Sequence, residues 1–185
     1  ILGEARVNVS FNSAIAARRG LSPRVTDLEK YGCNIGMGSD NMAEDMVEVV
    51  RTGLFMERVR RADGRQPTPE QALRWASRNG YRALGVPDGG WLGPGNKADL
   101  IVIDLQRAHL IPVLRVVSDF VHNGQARDVQ SVMVDGKWLM KDGVVLTMDE
   151  ESILRDAQKV ANAAWSRTFR TRFTPPAGFS PDALP

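Results

Sequence analysis

Gly32-Cys33-Asn34-Ile35-Gly36-Met37-Gly38-Ser39-Asp40-Asn41 is the stretch on which the fold turns. Its short apolar centre, broken by glycines, has the length of a buried strand and ends in polar residues. Upstream, Arg6-Val7-Asn8-Val9-Ser10-Phe11 alternates apolar and polar, as a half-buried strand does. Between them, Ser22-Pro23 offers an N-cap with Pro at the first helical position. Val25 and Leu28 give an apolar face, and Tyr31-Gly32 a stop. Two strands joined through a helix favour parallel pairing, so the reading is an α/β fold.

Downstream, Met42, Met46, Val49, Val50, Leu54 and Val59 fall at helical spacing, which predicts a long helix over 42–62, ended before Arg65-Gln66-Pro67. Thr68-Pro69-Glu70-Gln71 reads as a capping box opening a helix with Leu73, Ala76, Gly80 and Leu84 inward. The glycine- and proline-rich run from Pro87 to Gly95 separates helices from strands. Leu100-Ile101-Val102-Ile103 is a strand. Ser131-Val132-Met133-Val134 and Lys137-Trp138-Leu139-Met140 flank an Asp135-Gly136 hairpin turn, with a second turn at Lys141-Asp142-Gly143. Thr147 and Glu150 form a capping box for an amphipathic helix carrying Ile153, Leu154, Val160 and Trp165. A proline-rich tail without regular structure begins at Thr174.

Composition narrows the chemistry. The 185 residues are 43% apolar and 25% charged, with 24 Lys+Arg against 22 Asp+Glu. A net charge of +2 argues for neither nucleic acid nor a membrane as partner, and the surface reads as soluble and cytoplasmic. Eight arginines between Arg51 and Arg82 outnumber Glu57, Asp63 and Glu70. Without interleaved aromatics they read as solvated helix faces. One cysteine, Cys33, excludes an intramolecular disulfide, and it reads as a buried structural thiol. His109 and His122 lack ligand spacing and read as surface or packing residues. Ser10 and Ser13 lack the setting of a hydrolase nucleophile. Asp40 stands out, because the C-terminal edge of strands is where α/β proteins gather reactive side chains. By its spacing it is either a metal-ligating, proton-accepting carboxylate or the N-cap of the following helix.

The order of the 32–41 stretch, the Thr68–Leu73 helix start, Gly93-Pro94-Gly95-Asn96-Lys97-Ala98-Asp99-Leu100-Ile101-Val102-Ile103-Asp104 and Val132-Met133-Val134-Asp135-Gly136-Lys137 resembles the C-terminal part of an amidohydrolase-superfamily enzyme. The subgroup is that of cytosine, guanine and adenosylhomocysteine deaminases and triazine hydrolases. The resemblance implies a metal-dependent (β/α)8 barrel with a small β-sandwich. Residues 1–86 would supply strands seven and eight with their helices, 92–145 part of the sandwich, 146–173 a C-terminal helix and 174–185 the tail. It makes Asp40 a catalytic residue and metal ligand for Zn²⁺, or Fe²⁺ in some relatives. Asn41, Ser13 and Asn12 become substrate-binding residues. Ala14 departs from the family, whose seventh-strand motif has Asn there.

The implied substrate is a small heterocycle, a purine, pyrimidine or triazine, attacked by water at a ring C–N or C–Cl carbon. The family's histidine ligands have no counterpart here. With no initiator Met before Ile1, the expectation is about the last two-fifths of an enzyme, inactive without its N-terminal portion. The apolar final helix suggests a homo-oligomer. The alternative is a stand-alone, non-enzymatic α/β module for oligomerisation or partner binding.

Overall fold

The computed structural model describes residues 1–40 and 44–171. Asn41, Met42 and the proline-rich tail lie outside them. The fold is mixed α/β. The chain divides into two compact units, Ile1–Val144 and Val145–Pro185. In the first, β1 (Asn8–Phe11) and β2 (Asn34–Met37) pair in parallel, with Asn8 opposite Asn34 and Phe11 opposite Met37. The expected parallel pairing is there, but the connection holds two helices rather than one. They are α1 (Ser13–Arg18) and α2 (Val25–Lys30).

The expected Ser22 cap of α2 is not formed. Its cap position is Arg24, with no side-chain cap bond. The helix start is served from a distance: Glu57 accepts from the Thr26 N–H at 3.0 Å, the Val25 N–H at 3.4 Å and the Thr26 hydroxyl. Glu57 belongs to α3 (Met46–Arg61), the long helix the spacing predicts. Val49, Val50 and Leu54 are buried as expected, but Val59 is 82% exposed. The buried stripe passes instead from Val50 to Gly53 and Glu57, steps of three and four residues along one face.

Gly53 is there because α3 lies directly on the strand ends. A Cβ at that position would stand 2.3 Å from Met37 Cε and 3.0 Å from Phe11 Cε1. A mid-helix glycine costs about 1 kcal/mol against alanine, and the close approach offsets it. Gly53→Val is therefore expected to lower stability by about 1–3 kcal/mol through overpacking. Urea unfolding measures this, and an unchanged midpoint would contradict the contact.

The next predicted helix is two. Thr68 does cap α4 (Pro69–Trp75), its hydroxyl oxygen accepting from the Gln71 N–H at 3.2 Å. The chain then breaks at Ser77, and α5 (Arg78–Ala83) leaves Leu84 80% exposed rather than inward. Inside the fold lies Trp75, fully buried, its Nε1–H donating to Glu29 at 2.9 Å. Around it gather Phe11, Val25, Cys33, Ile35, Leu54 and Ala72. Cys33 is a buried free thiol, as its surroundings in the sequence suggest.

Beyond the glycine-rich segment, β3 (Leu100–Ile103), β4 (Val129–Val134), β5 (Lys137–Lys141) and the two-residue β6 (Val144–Val145) are ordered β3-β4-β5-β6. The β4–β5 turn is the one the sequence predicts, with Asp135 at φ 49° and Gly136 at φ 75°. A helix not foreseen, α6 (Val116–Asn123), buries Phe120 and Val121.

Several of the arginines expected to be solvated hold this arrangement together. Arg51 donates to the Val121 and Gly124 carbonyls at the end of α6. Arg58 donates to the Pro67 carbonyl at 3.1 Å and contacts His122 Nε2 at 3.0 Å. His109 pairs with buried Asp128 at 2.8 Å, so both histidines are packing residues. In the second unit, α7 (Glu150–Thr171) starts from Asp149, which accepts from the Ser152 N–H at 2.9 Å. Asp149, not Thr147, fills the cap. Among the described residues no helix is long and apolar enough to cross a membrane.

Candidate functional site

Parallel pairing brings the C-terminal ends of β1 and β2 to one edge. Phe11 runs into Asn12, and Met37 into Gly38-Ser39-Asp40. The two exits touch. The Gly38 N–H faces the Phe11 carbonyl at 3.4 Å, and the Ser10 hydroxyl donates to Asn12 Oδ1 at 2.9 Å. Gly38 lies close against them: a Cβ there would meet Asn12 Oδ1 at 2.9 Å and Ser10 Oγ at 3.4 Å, so the Asn12 side chain would have to shift. Ser10, which the sequence marks only by what it lacks, thus belongs to the edge together with Asn12.

Asp40 is exposed and adopts the left-handed conformation, φ 58°. A non-glycine residue there is uncommon, with Asp among those that tolerate it, and such residues cluster at functional edges. The Ser39 hydroxyl reaches the Asp40 carbonyl at 3.4 Å. The capping alternative for Asp40 is overturned. Helix α3 starts at Met46, and its cap is Asp45, whose Oδ1 accepts from the Val47 N–H at 2.8 Å and the Glu48 N–H at 3.1 Å.

Ser13 is not at this edge. It is fully buried and its hydroxyl donates to the Val49 carbonyl, tying the start of α1 to α3. Within this chain the Ser13 hydroxyl is therefore engaged in packing. Neighbouring Ala14, also buried at 7% exposure, has the same kind of place. Asn41 falls outside the described residues.

A catalytic zinc centre takes three protein ligands and an open position. Asp40 has the chemistry of one. Among the described residues, no group of three His, Cys, Asp or Glu side chains is arranged to hold a metal ion. This chain's described donors therefore do not fit a whole metal centre.

Below the edge the electrostatics concern folding. Glu57, 1% exposed, accepts from Arg60 Nε at 2.9 Å and Nη2 at 3.0 Å. Burial pushes its carboxyl up, but the bonds from Arg60 and Thr26 outweigh burial and hold it below the usual range. In the sequence Glu57 stands among charges that read as solvated helix faces. Its spacing is the sign of burial: position 57 continues the stripe of Val50 and Leu54, whereas Val59 does not.

The amidohydrolase family model matches residues 4–139. The 5′-deoxyadenosine deaminase of Methanosarcina barkeri is 38% identical over 173 residues, covering 90% of this chain and 40% of that enzyme. The 5-methylthioadenosine/S-adenosylhomocysteine deaminase of Pelotomaculum thermopropionicum is 37% identical, covering 87% and 38%. The chain thus spans about two-fifths of the length of the curated relatives it matches.

Among solved structures, an adenosine deaminase from Xanthomonas campestris with bound zinc superposes with a TM-score of 0.81 at 24% identity, over 89% of this chain and 39% of that one. The zinc complex of atrazine chlorohydrolase from Arthrobacter aurescens gives 0.76 at 22%, over 85% and 36%. These two establish likeness of fold. Together with the family match and the deaminase identities, the parallel strand pair and its polar edge place the chain in the amidohydrolase family.

Proposed function

We propose that this chain is the C-terminal part of a metal-dependent aminohydrolase, with β1 and β2 as strands seven and eight of its barrel. Residues 92–145 then belong to the sandwich. The reaction is hydrolytic deamination of a purine-type heterocycle. Water adds to the ring carbon that bears the amino group, and ammonia leaves with the carbon–nitrogen bond. A Zn²⁺ or Fe²⁺ ion held by Asp40 and by ligands outside this chain would supply Lewis acidity, bringing the pKa of water toward about 7.

Asp40 contributes a carboxylate that accepts the proton of the attacking water on one Oδ atom and passes it to the departing nitrogen. Asn12 and Asn41 orient the heterocycle beside it. The carrying observation is Asp40 itself, exposed and left-handed at the C-terminal edge, five residues before the residue that caps α3. The remaining metal ligands come from the part of the family fold that this chain does not cover. Deamination is favoured over dechlorination because the two curated relatives at 38% and 37% identity are deaminases.

The test is a chimera. This chain replaces the matched 40% of the Methanosarcina barkeri 5′-deoxyadenosine deaminase, and ammonia release from 5′-deoxyadenosine is followed. Zinc-dependent turnover is expected. A folded, zinc-loaded chimera without turnover contradicts the proposal.

A further inference from the structure

Three asparagines from distant parts of the first unit meet beneath the candidate site. Asn34 Nδ2 donates to Asn8 Oδ1 at 2.9 Å across the strand pair, and to the Asn79 main-chain carbonyl at 2.9 Å. Asn79 Nδ2 returns a bond to the Ile35 carbonyl at 2.8 Å. Two of the acceptors are main-chain carbonyls, so only the nitrogen of each amide can face them. This fixes the orientations of Asn34 and Asn79 without appeal to amide assignment.

Ile35 is fully buried. A buried carbonyl is costly without a donor. Asn79 gives the Ile35 carbonyl a side-chain N–H and accepts one from the Asn34 side chain. The helix runs beside β2 here, with Gly80 next to Gly36. A Cβ on Gly36 would lie 4.0 Å from Gly80 Cα. The clamp grips β2 at Asn34 and Ile35, and Asp40 stands three residues past the strand's end.

We propose that Asn34 and Asn79 are positioning residues that fix the register and tilt of β2, and so the place of the Asp40 carboxylate. This rests on the reading of Asp40 as the proton-accepting group, but the clamp is tested without it. Amide hydrogen exchange is measured on the full chain for wild type, Asn79→Ala and Asn79→Asp. The aspartate is near-isosteric but has no N–H for the Ile35 carbonyl. Both variants are expected to exchange about tenfold faster at Gly36 and Gly38, with Val50 and Leu54 unchanged. In the chimera, kcat should fall about tenfold with KM within twofold and zinc content retained.

Wild-type protection in Asn79→Asp, or a rise shared by the whole core, overturns the clamp. Faster local exchange with unchanged kcat overturns the positioning role. Failure of the Asp40 reading looks different. There Asp40→Asn keeps its activity while the exchange result stands.

Discussion

Asp40→Asn in the active chimera is expected to lower kcat by about 10²–10⁴-fold, the usual worth of a positioned proton acceptor. The substitution is well matched to the question. Asparagine tolerates the left-handed backbone of position 40 as aspartate does, so the turn leaving β2 is kept. The amide retains an oxygen of similar size and place. What it loses is the negative charge and the capacity to hold a proton between its removal from water and its delivery to ammonia. Because this step belongs to the transition state, kcat and kcat/KM should fall together. Steady-state ammonia release, normalised to folded and zinc-loaded protein, measures it. A loss smaller than tenfold would remove Asp40 from the reaction.

The second large effect is on folding. Glu57→Ala should destabilise the chain by about 3–5 kcal/mol, the cost of breaking a buried charge pair by removing one partner. Four donors lose an acceptor at once: the Val25 and Thr26 N–H groups at the start of α2, the Thr26 hydroxyl, and the Arg60 guanidinium, 17% exposed. The contribution has a pH signature. The Glu57 carboxyl is held below its ordinary value of 4.5 in the folded state. Its stabilisation is therefore fully present above that value and lost as pH falls through the lower folded one. Urea unfolding at pH 7 and at progressively lower pH should show the wild-type advantage shrinking in acid. A difference below about 1 kcal/mol at pH 7 would show that the pair breaks even on burial.

Much of the scaffold is legible in the amino-acid order where local chemistry decides it. The Asp135-Gly136 turn needs two residues with positive φ and gets them. Thr68 and Pro69 open a helix at the position their capping chemistry favours. What escapes is decided by partners far along the chain. Helix α1, six residues long with no side-chain cap, and α6, with Phe120 and Val121 inward, exist because of what they pack on. Ser22 has the composition of a cap, but α2 takes its acceptor from Glu57, over thirty residues away.

The site divides in the same way. The position of Asp40 follows from a strand and its end. The choice between cap and reactive group does not, because Asp45 is an equally good cap and lies nearer the helix. Ser13 looks polar enough for substrate, yet the pairing of α1 with α3 buries its hydroxyl. The asparagine clamp joins positions 8, 34 and 79, a spacing that carries no local pattern at all.

The most direct test of the central claim, that this chain supplies the reactive carboxylate of a metal site completed by residues outside it, is made on the chain alone. Purified protein is equilibrated with zinc, desalted, and assayed for bound metal and for ammonia release from 5′-deoxyadenosine. Asp40 offers one ligand where a catalytic centre needs three, so the account predicts zinc far below one ion per chain and no ammonia. One zinc per chain with turnover would contradict it.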